Sequence, residues 1–230
     1  MEFDAIPQQI MQPTLFEYDE AAHGAVELFP MVWSAVESLI APDLPLRQRG
    51  LAQLVEVRAA RFSPLVASIL VSRLTEPDLE LRRQIAYALG DVLARDESGQ
   101  AAPELVRQYL VYTLGQMRQR SIYALLEISI GDPLAETAIA RLLNACPFAG
   151  RHLADILSDR KLPLAVRCEA TRFIGLVGYL DAIPALERML VRLEARVNGQ
   201  QTMPFAPPGQ PDEVDLLPDI RSALLNLRAP

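Results

Sequence analysis

Apolar residues recur every three or four positions along most of the chain, which is the spacing of one face of an α-helix. The first such run is Val26, Phe29, Trp33, Val36 and Ile40. Pro42 follows the run and ends it, because proline lacks a backbone donor and clashes inside a helix. Similar breaks separate one helical run from the next. The pattern therefore predicts an all-α protein.

The periodic runs between these breaks define about 10 to 12 helices. They are expected near residues 26–40, 46–57, 64–74, 81–92, 103–115, 118–130, 133–145, 148–158, 163–178, 181–196 and 214–228. Ser63 and Pro64 have the character of an N-cap followed by proline in the first turn. No sustained alternating pattern and no Asn-Gly or Asp-Gly turn occurs, so no sheet is predicted. Two connections are longer than the others, at residues 95–101 and 198–213.

One short motif recurs along the chain. Residues 43–55, DLPLRQRGLAQLV, match residues 78–90, DLELRRQIAYALG, in the order Asp, Leu, any residue, Leu, Arg. Their arginines, Arg47 and Arg82, lie 35 residues apart. A third copy, PLAVRCEATRFIG, centres on Arg167, and a weaker copy begins at Arg118. Repetition at this period is typical of architectures built from stacked supersecondary units.

Positions counted from the repeat arginine differ in character. Seven residues on, the chain has a large aliphatic residue in every copy: Leu54, Leu89, Leu125 and Ile174. Three residues on, it has mostly small residues: Gly50, Ile85, Ser121 and Ala170. Five residues on, it has no consistent type: Ala52, Tyr87, Tyr123 and Arg172. We interpret these as a packed position, a close-contact position and an exposed position.

The motif Asp-x-x-(Leu/Val)-Arg, followed by a small residue and then a large aliphatic residue, resembles the HEAT repeat. Residues 178–190, GYLDAIPALERML, resemble the other half of a bacterial-type HEAT unit, with Pro184 in the first helical turn. The resemblance covers about residues 26–228 and implies a right-handed, armadillo-like α-solenoid of antiparallel helix pairs. It also implies a structural ladder between neighbouring repeats. The ladder residues would be Asp43, Arg47, Asp78, Arg82 and Arg167.

Two parts of the chain are expected, because residues 1–24 are polar and lack the helical periodicity of the rest. Residues 1–24 form a polar N-terminal arm, and residues 25–230 form the solenoid with a Pro-rich loop at 198–213. One region departs from strict helix pairs, because three helices are expected between Val92 and Phe148. Either one repeat there is atypical or a helix boundary is misplaced.

Composition narrows the possible functions. Hydrophobic residues make up 50% of the 230 residues, enough for a core, and the net charge of -7 disfavours binding to a phosphate backbone. The N-terminal sequence does not resemble a secretory signal, and no apolar run approaches the roughly 18 residues of a membrane span. A cytoplasmic protein is therefore expected. Cys146 and Cys168 form no CxxC motif and are expected to be reduced core thiols.

Candidate catalytic chemistry is sparse. The two histidines, His23 and His152, do not cluster with the roughly four ligands that a zinc site needs. No nucleophile elbow and no Gly-rich phosphate loop occurs. Trp33 falls on the apolar face of the first helix and is interpreted as core. The sequence thus predicts no catalytic residue, no metal and no cofactor.

The leading interpretation is a non-enzymatic scaffold that binds a protein or peptide. Solenoids present extended concave surfaces, where Tyr87, Tyr123 and Arg172 are expected. Met203 and Phe205 are apolar residues of the Pro-rich loop that could dock into a partner. Two alternatives are a HEAT-like enzyme, resembling bilin lyases or a DNA glycosylase of alkylated bases, and a structural subunit of a larger assembly. The sequence does not define the partner or the oligomeric state.

Overall fold

The computed structural model describes residues 29–198 and 211–229, which contain twelve α-helices and no strand. The helices are α1 (Phe29–Leu39), α2 (Leu44–Glu56), α3 (Ala59–Phe62), α4 (Pro64–Ser72), α5 (Leu79–Leu93), α6 (Glu104–Leu114), α7 (Gln119–Gly131), α8 (Glu136–Asn144), α9 (Ala149–Ser158), α10 (Leu164–Val177), α11 (Ile183–Val197) and α12 (Leu217–Arg228). Short 3-10 helices at Pro133–Ala135, Leu180–Ala182 and Pro211–Leu216 precede α8, α11 and α12. The prediction of an all-α protein is confirmed. Within the described residues, no helix combines the length and apolar character needed to cross a membrane.

Two helix starts, those of α4 and α5, are fixed by side-chain caps. The hydroxyl of Ser63 accepts a hydrogen bond from the backbone N–H of Val66 at 3.2 Å, so it caps α4 just before Pro64. The carboxylate of Asp78 accepts from the N–H of Leu81 at 2.8 Å and caps α5. Both caps satisfy a donor that the first helical turn leaves without a partner.

The helices pack in two layers. In one layer, α2 contacts α5, α5 contacts α8, α8 contacts α10, and α10 contacts α12. In the other, α4 contacts α6, α7 contacts α9, and α9 contacts α11. The pairs α1–α2, α9–α10 and α11–α12 join the layers. The aliphatic residues seven positions after the repeat arginines lie between the two layers and are at most 1% exposed: Leu54, Leu89, Leu125 and Ile174.

Two junctions within the first layer are tight because glycine faces alanine. A Cβ atom at Gly90 would lie 2.8 Å from the Cβ of Ala138, where α5 meets α8. A Cβ atom at Gly175 would lie 2.7 Å from the Cα of Ala223, where α10 meets α12. Each glycine stands eight residues after a repeat arginine. The small side chains let these helix pairs approach more closely than larger residues would allow.

The three helices expected between Val92 and Phe148 are present as α6, α7 and α8. The place beside α5 is taken by α8, which packs along α5 more extensively than α7 does. Helix α7, which carries the weak repeat copy, packs instead on α9 and α10. An additional helix in this unit, rather than a misplaced boundary, accounts for the odd number.

One helix was not predicted from the sequence. Helix α3 is a single turn that begins after Arg58, whose backbone is left-handed with φ 49°. Four residues are too few for a helical period to be recognised. The predicted N-terminal arm at 1–24 and residues 199–210 of the predicted 198–213 loop lie outside the described residues.

Candidate functional site

An apolar groove of about 590 Å³ lies between α2, α3 and α5, and we call it the α2–α5 groove. Its floor includes the buried Leu54 and Leu70 together with the half-buried Ala88. Exposed side chains of α2 and α5 form its sides, among them Val55, which is 45% exposed, and Tyr87, which is 37% exposed. The volume lies within the range of roughly 300–1,000 Å³ that is usual for ligand-binding clefts.

The repeat explains why the groove opens here. Val55 stands eight residues after Arg47, in the place that Gly90 and Gly175 occupy after their own repeat arginines. Helix α2 contacts α5 over a shorter stretch than α5 contacts α8. A branched side chain in place of glycine prevents the close approach seen at the two tight junctions. The separation leaves the end of α2 and the middle of α5 open to a ligand.

Tyr87 is held in a fixed orientation at the groove. Its hydroxyl donates a hydrogen bond to the carboxylate of Asp132 at 2.8 Å. Arg83 pairs with the same carboxylate at 3.3 Å. Burial and this hydrogen bond raise the pKa of Tyr87, and the bond from Tyr87 lowers the pKa of Asp132 despite the opposing effect of burial. The tyrosine is therefore a neutral aromatic platform with its hydroxyl engaged.

Arg61 of α3 shapes the groove from inside the fold. Its side chain is 4% exposed, and its guanidinium donates to the backbone carbonyls of Asp91 at 2.9 Å and Gln100 at 2.6 Å. It also pairs with the carboxylate of Asp96 at 3.4 Å, and this ties α3 to the 95–101 connection. Sequence reasoning missed Arg61, because it belongs to no repeat motif and its partners are 30 to 39 residues away.

Two charged residues of opposite sign lie on the rim of the groove. Glu56 ends α2, and Arg58 follows in the left-handed turn between α2 and α3. Both side chains are exposed. Asp91 of α5, whose side chain is 48% exposed, also lines the groove, so exposed charges of both signs lie beside the apolar floor.

Arg172 lies in a smaller groove of about 120 Å³ formed with residues of α8 and α12. Its guanidinium pairs with Glu136 of α8 and donates to Glu169 at 2.6 Å and to Ser129 at 2.8 Å. Burial lowers the pKa of Arg172, but the bonds and charges of Glu169 and Glu136 outweigh it and raise the pKa overall. The arginine therefore bridges three helices, which limits its freedom to bind a partner.

The remaining predicted partner-binding residues differ in placement. Tyr123 of α7 is only partly exposed and packs against the hydrophobic core. Met203 and Phe205 lie outside the described residues. Ala52, which shares its repeat position with Tyr87, also lines the α2–α5 groove. The exposed repeat position is thus the sequence signal that leads to this groove.

Repeat arginines reach across to glutamates that the sequence did not single out. Arg47 pairs with Glu76 at 2.9 Å, Arg82 with Glu127 at 2.9 Å, and Arg167 with Glu213 at 2.7 Å. In each case the glutamate lies later in the chain than its arginine. The expected ladder aspartates behave differently, because Asp78 caps its own helix and Asp43 makes no side-chain capping bond.

The two cysteines are free and protected. Cys146 is buried, which raises its pKa. Burial, followed by a hydrogen bond to Asp219, raises the pKa of Cys168 to about 12. Both thiols therefore stay protonated near neutral pH and react slowly. Among the described residues, no three His, Cys, Asp or Glu side chains converge on a possible metal position.

Comparisons of the chain with models of protein families, with curated proteins and with solved structures found no match in any of the three.

Proposed function

We propose that this chain is a non-enzymatic binding module of the right-handed α-solenoid type, related to HEAT repeats, that recognises a segment of a protein partner. The solenoid proposal is supported by the repeat motif and by the order in which α2, α5, α8, α10 and α12 contact one another. Solenoids are built from units that contact their sequence neighbours and offer a continuous surface to partners.

The α2–α5 groove is the observation that carries the proposal. It places an aromatic side chain and exposed aliphatic groups beside two charges of opposite sign, Glu56 and Arg58. The occupant we propose is an amphipathic peptide segment. It would insert two or three aliphatic side chains between α2 and α5 and place a basic and an acidic side chain on the rim. Protein–protein interfaces usually have an apolar centre surrounded by a polar rim.

The experiment fills the groove without disturbing the core. Ala52 is exposed on α2 and lines the groove, so Ala52→Arg adds a long side chain to the cavity while keeping a good helix former. The matched control is Ala165→Arg, an exposed alanine in the first turn of α10. Twelve-residue peptides are selected by phage display on the wild-type chain. Their Kd values for the three proteins are then measured by fluorescence anisotropy.

We expect the selected peptides to be rich in aliphatic residues. Their Kd for Ala52→Arg should be at least about tenfold higher than for wild type, a loss of about 1.4 kcal/mol in binding free energy. Their Kd for Ala165→Arg should be unchanged. The same pattern is expected for a protein captured from the native host. Peptides and captured proteins that bind Ala52→Arg as well as wild type would exclude the groove as the recognition site.

A further inference from the structure

Helix α6 has an apolar face that is exposed in the described part of the chain. Leu105, Tyr109 and Tyr112 stand three or four positions apart and are 52%, 51% and 68% exposed. The centroids of the two tyrosine rings lie 6.4 Å apart. The opposite face of α6 is buried through its remaining aliphatic residues: Val106, Leu110 and Leu114. A helix with apolar residues on opposite faces usually has both faces covered, so a further segment is expected on this one.

Helix α6 is also the last helix before a break in its layer. It packs on α4, but α7, the next helix in the chain, packs on α9 and α10. Where the layer is continuous, as from α7 to α9 and from α9 to α11, each helix packs along the next. Among the described helices, none beyond α6 packs along it. The break leaves room for a segment beside α6.

Three exposed arginines lie in two turns at the end of α6. Arg118 precedes α7, Arg120 lies in the first turn of α7, and Arg151 lies in the first turn of α9. The turns before α7 and α9 are adjacent, because a Cβ atom at Gly115 would lie 3.8 Å from the Cδ atom of Pro147. The three arginine side chains make no hydrogen bond or ion pair within the described residues. They are therefore available to a ligand.

These turns carry a surplus of positive charge. Neither of the two first turns contains an acidic residue. Asp155 comes one turn after Arg151, and Glu104 of α6 is already paired with Arg107. One further acid beside three unpaired arginines leaves positive charge next to the apolar face. We call the following side chains the α6 surface: Leu105, Tyr109, Tyr112, Arg118, Arg120 and Arg151.

The complementary charge is present in the N-terminal sequence of the same chain. Residues 1–46 contain eight acidic residues and no Lys or Arg, so they carry a net charge of -8, whereas residues 47–230 carry +1. Residues 15–20, LFEYDE, lie outside the described residues and combine three large apolar residues with three acids. This stretch has as many apolar and acidic side chains as the α6 surface has apolar and basic ones.

The N-terminal sequence is long enough to reach α6. Helix α1 begins at Phe29, and α1, α2, α5, α4 and α6 contact one another in that order. Neighbouring helices pack about 8–10 Å apart, so the four steps amount to about 40 Å. The fourteen residues from Leu15 to Leu28 span up to about 45 Å when extended. Residues 15–20 can therefore contact α6 while the chain continues into α1.

We propose that residues 15–20 bind the α6 surface of the same chain, with their apolar side chains on α6 and their carboxylates beside the arginines. Removal of apolar groups from water supplies most of the binding free energy, and the charge pairs fix the orientation. Because the two parts belong to one chain, the contact forms at a high effective concentration. This contact is separate from the α2–α5 groove and does not depend on the function proposed for it.

The test locates the N-terminal stretch in the full chain by paramagnetic NMR. A spin label is attached through Thr14→Cys, next to residues 15–20. The native Cys146 and Cys168 have raised pKa values and react slowly, so the label attaches at position 14. Broadening of backbone amide signals, relative to the same sample with the label reduced, identifies the helices that lie near the label.

Two variants are compared in the spin-labelled chain. Tyr112→Ser/Arg118→Gln removes one exposed apolar group and one unpaired charge from the α6 surface. Arg188→Gln/Leu225→Ser is the matched control, because it removes an exposed arginine and an exposed leucine from α11 and α12. Where the first variant does not fold, Leu15→Ser/Phe16→Ser in the N-terminal stretch replaces it and has the same expected result.

We expect the amide signals of α6 and of the first turn of α7 to be broadened in the spin-labelled chain and in its control variant. The paramagnetic relaxation rates at these signals should fall at least about threefold in Tyr112→Ser/Arg118→Gln, since they follow the bound population. Broadening spread evenly over the fold, broadening confined to the α2–α5 groove, or equal rates in all variants would overturn the proposal.

A mixed sample separates binding within one chain from binding between two copies. It combines spin-labelled chains without isotope and isotope-labelled chains without the spin label. We expect no broadening of α6 in this sample, because each α6 surface binds the stretch of its own chain. Broadening of α6 as strong as in the doubly labelled chain would assign the contact to a second copy and contradict the proposal.

Discussion

At the scale of single residues, glycine and alanine decide how closely two helices approach. Gly175 permits the contact of α10 with α12, and an added Cβ would lie 2.7 Å from the Cα of Ala223 and 3.0 Å from its Cβ. We expect Gly175→Ala to lower the free energy of unfolding by about 1–3 kcal/mol, because overpacking forces backbone shifts. Urea unfolding followed by circular dichroism measures this change.

Gly131 provides the matched control for that substitution. It ends α7, and a Cβ added there meets only the Cδ2 atom of Leu79 at 3.7 Å, an ordinary contact. Gly131→Ala should leave the free energy of unfolding unchanged or raise it by up to about 1 kcal/mol, since alanine loses less entropy in a helix. Equal losses in the two variants would contradict the role assigned to the α10–α12 contact.

Glu213 gives a residue-scale prediction about pH. Burial alone would raise its pKa, but the hydrogen bond from Arg167 and the charges of Arg192 and Arg160 lower it below the ordinary value of 4.5. A carboxyl group with a lowered pKa in the folded state stabilises the fold above pH 4.5. That contribution is lost as the pH falls through the folded pKa. Glu213→Gln should therefore flatten the dependence of the free energy of unfolding on pH below about 4.5.

The control for the pH prediction is Glu187→Gln. Glu187 forms an exposed ion pair with Arg228 at 2.5 Å, and such pairs contribute little. Urea unfolding at pH 3 to 7 should show the wild-type slope for this variant. If Glu213→Gln also keeps the wild-type slope, the carboxylate does not have the lowered pKa described for it.

The sequence was informative about single residues only where the repeat defined their positions. It identified the buried aliphatic positions and the exposed position that contains Ala52 and Tyr87. It did not identify Glu76 and Glu213 as the partners of Arg47 and Arg167, because they lie 29 and 46 residues away and belong to no shared motif. Long-range ion pairs depend on the packing of elements, which a local pattern does not specify.

At the scale of elements, equivalent motif positions differ in what they contribute to a helix. Asp43 and Asp78 both precede a helix at its N-cap, but only Asp78 accepts a hydrogen bond from its first turn, at 2.8 Å. Asp78→Ala should therefore lower the free energy of unfolding by about 1 kcal/mol. Asp43→Ala should change it by less than about 0.5 kcal/mol. Urea unfolding of both variants makes the comparison, and equal losses would contradict it.

Helix existence was easier to predict from the sequence than helix packing. The long periodic runs gave eleven of the twelve α-helices within a few residues, because amphipathic periodicity is a local property. The single turn α3 lacked enough residues to show a period. Its position nevertheless matters, since Arg61 on α3 lines the α2–α5 groove and binds the 95–101 connection.

At the scale of the whole molecule, a stack of helices should lose stability locally. An added Cβ at Gly50 would lie 2.4 Å from the carbonyl oxygen of Ala35, so Gly50→Ala disrupts the α1–α2 pair. In a solenoid each unit contacts mainly its neighbours, and stability is a sum of local terms. Hydrogen–deuterium exchange should become faster in α1 and α2 and stay unchanged in α10 to α12. Faster exchange throughout the chain would indicate one cooperative core and contradict the solenoid proposal.

The order of the layers could not be predicted from the repeat alone. Repeat copies begin at Arg82 in α5 and at Arg118 just before α7, yet α8 and not α7 packs along α5. The alanine at 138 meets Gly90 there, and this fit of small residues is not visible in a pattern of apolar positions. The layering is thus a result of shape at the helix contacts.

The alternation of close and loose helix contacts has a mechanical consequence. The α5–α8 and α10–α12 contacts are closed by glycine and alanine, whereas the α2–α5 contact has Val55 at the corresponding place and an open groove beside it. Stiffness in a packed structure rises with the number of atoms in contact. We therefore expect the α2–α5 junction to be more compliant than the α5–α8 and α10–α12 junctions. A peptide bound in the groove would then act as a brace that stiffens the chain against bending.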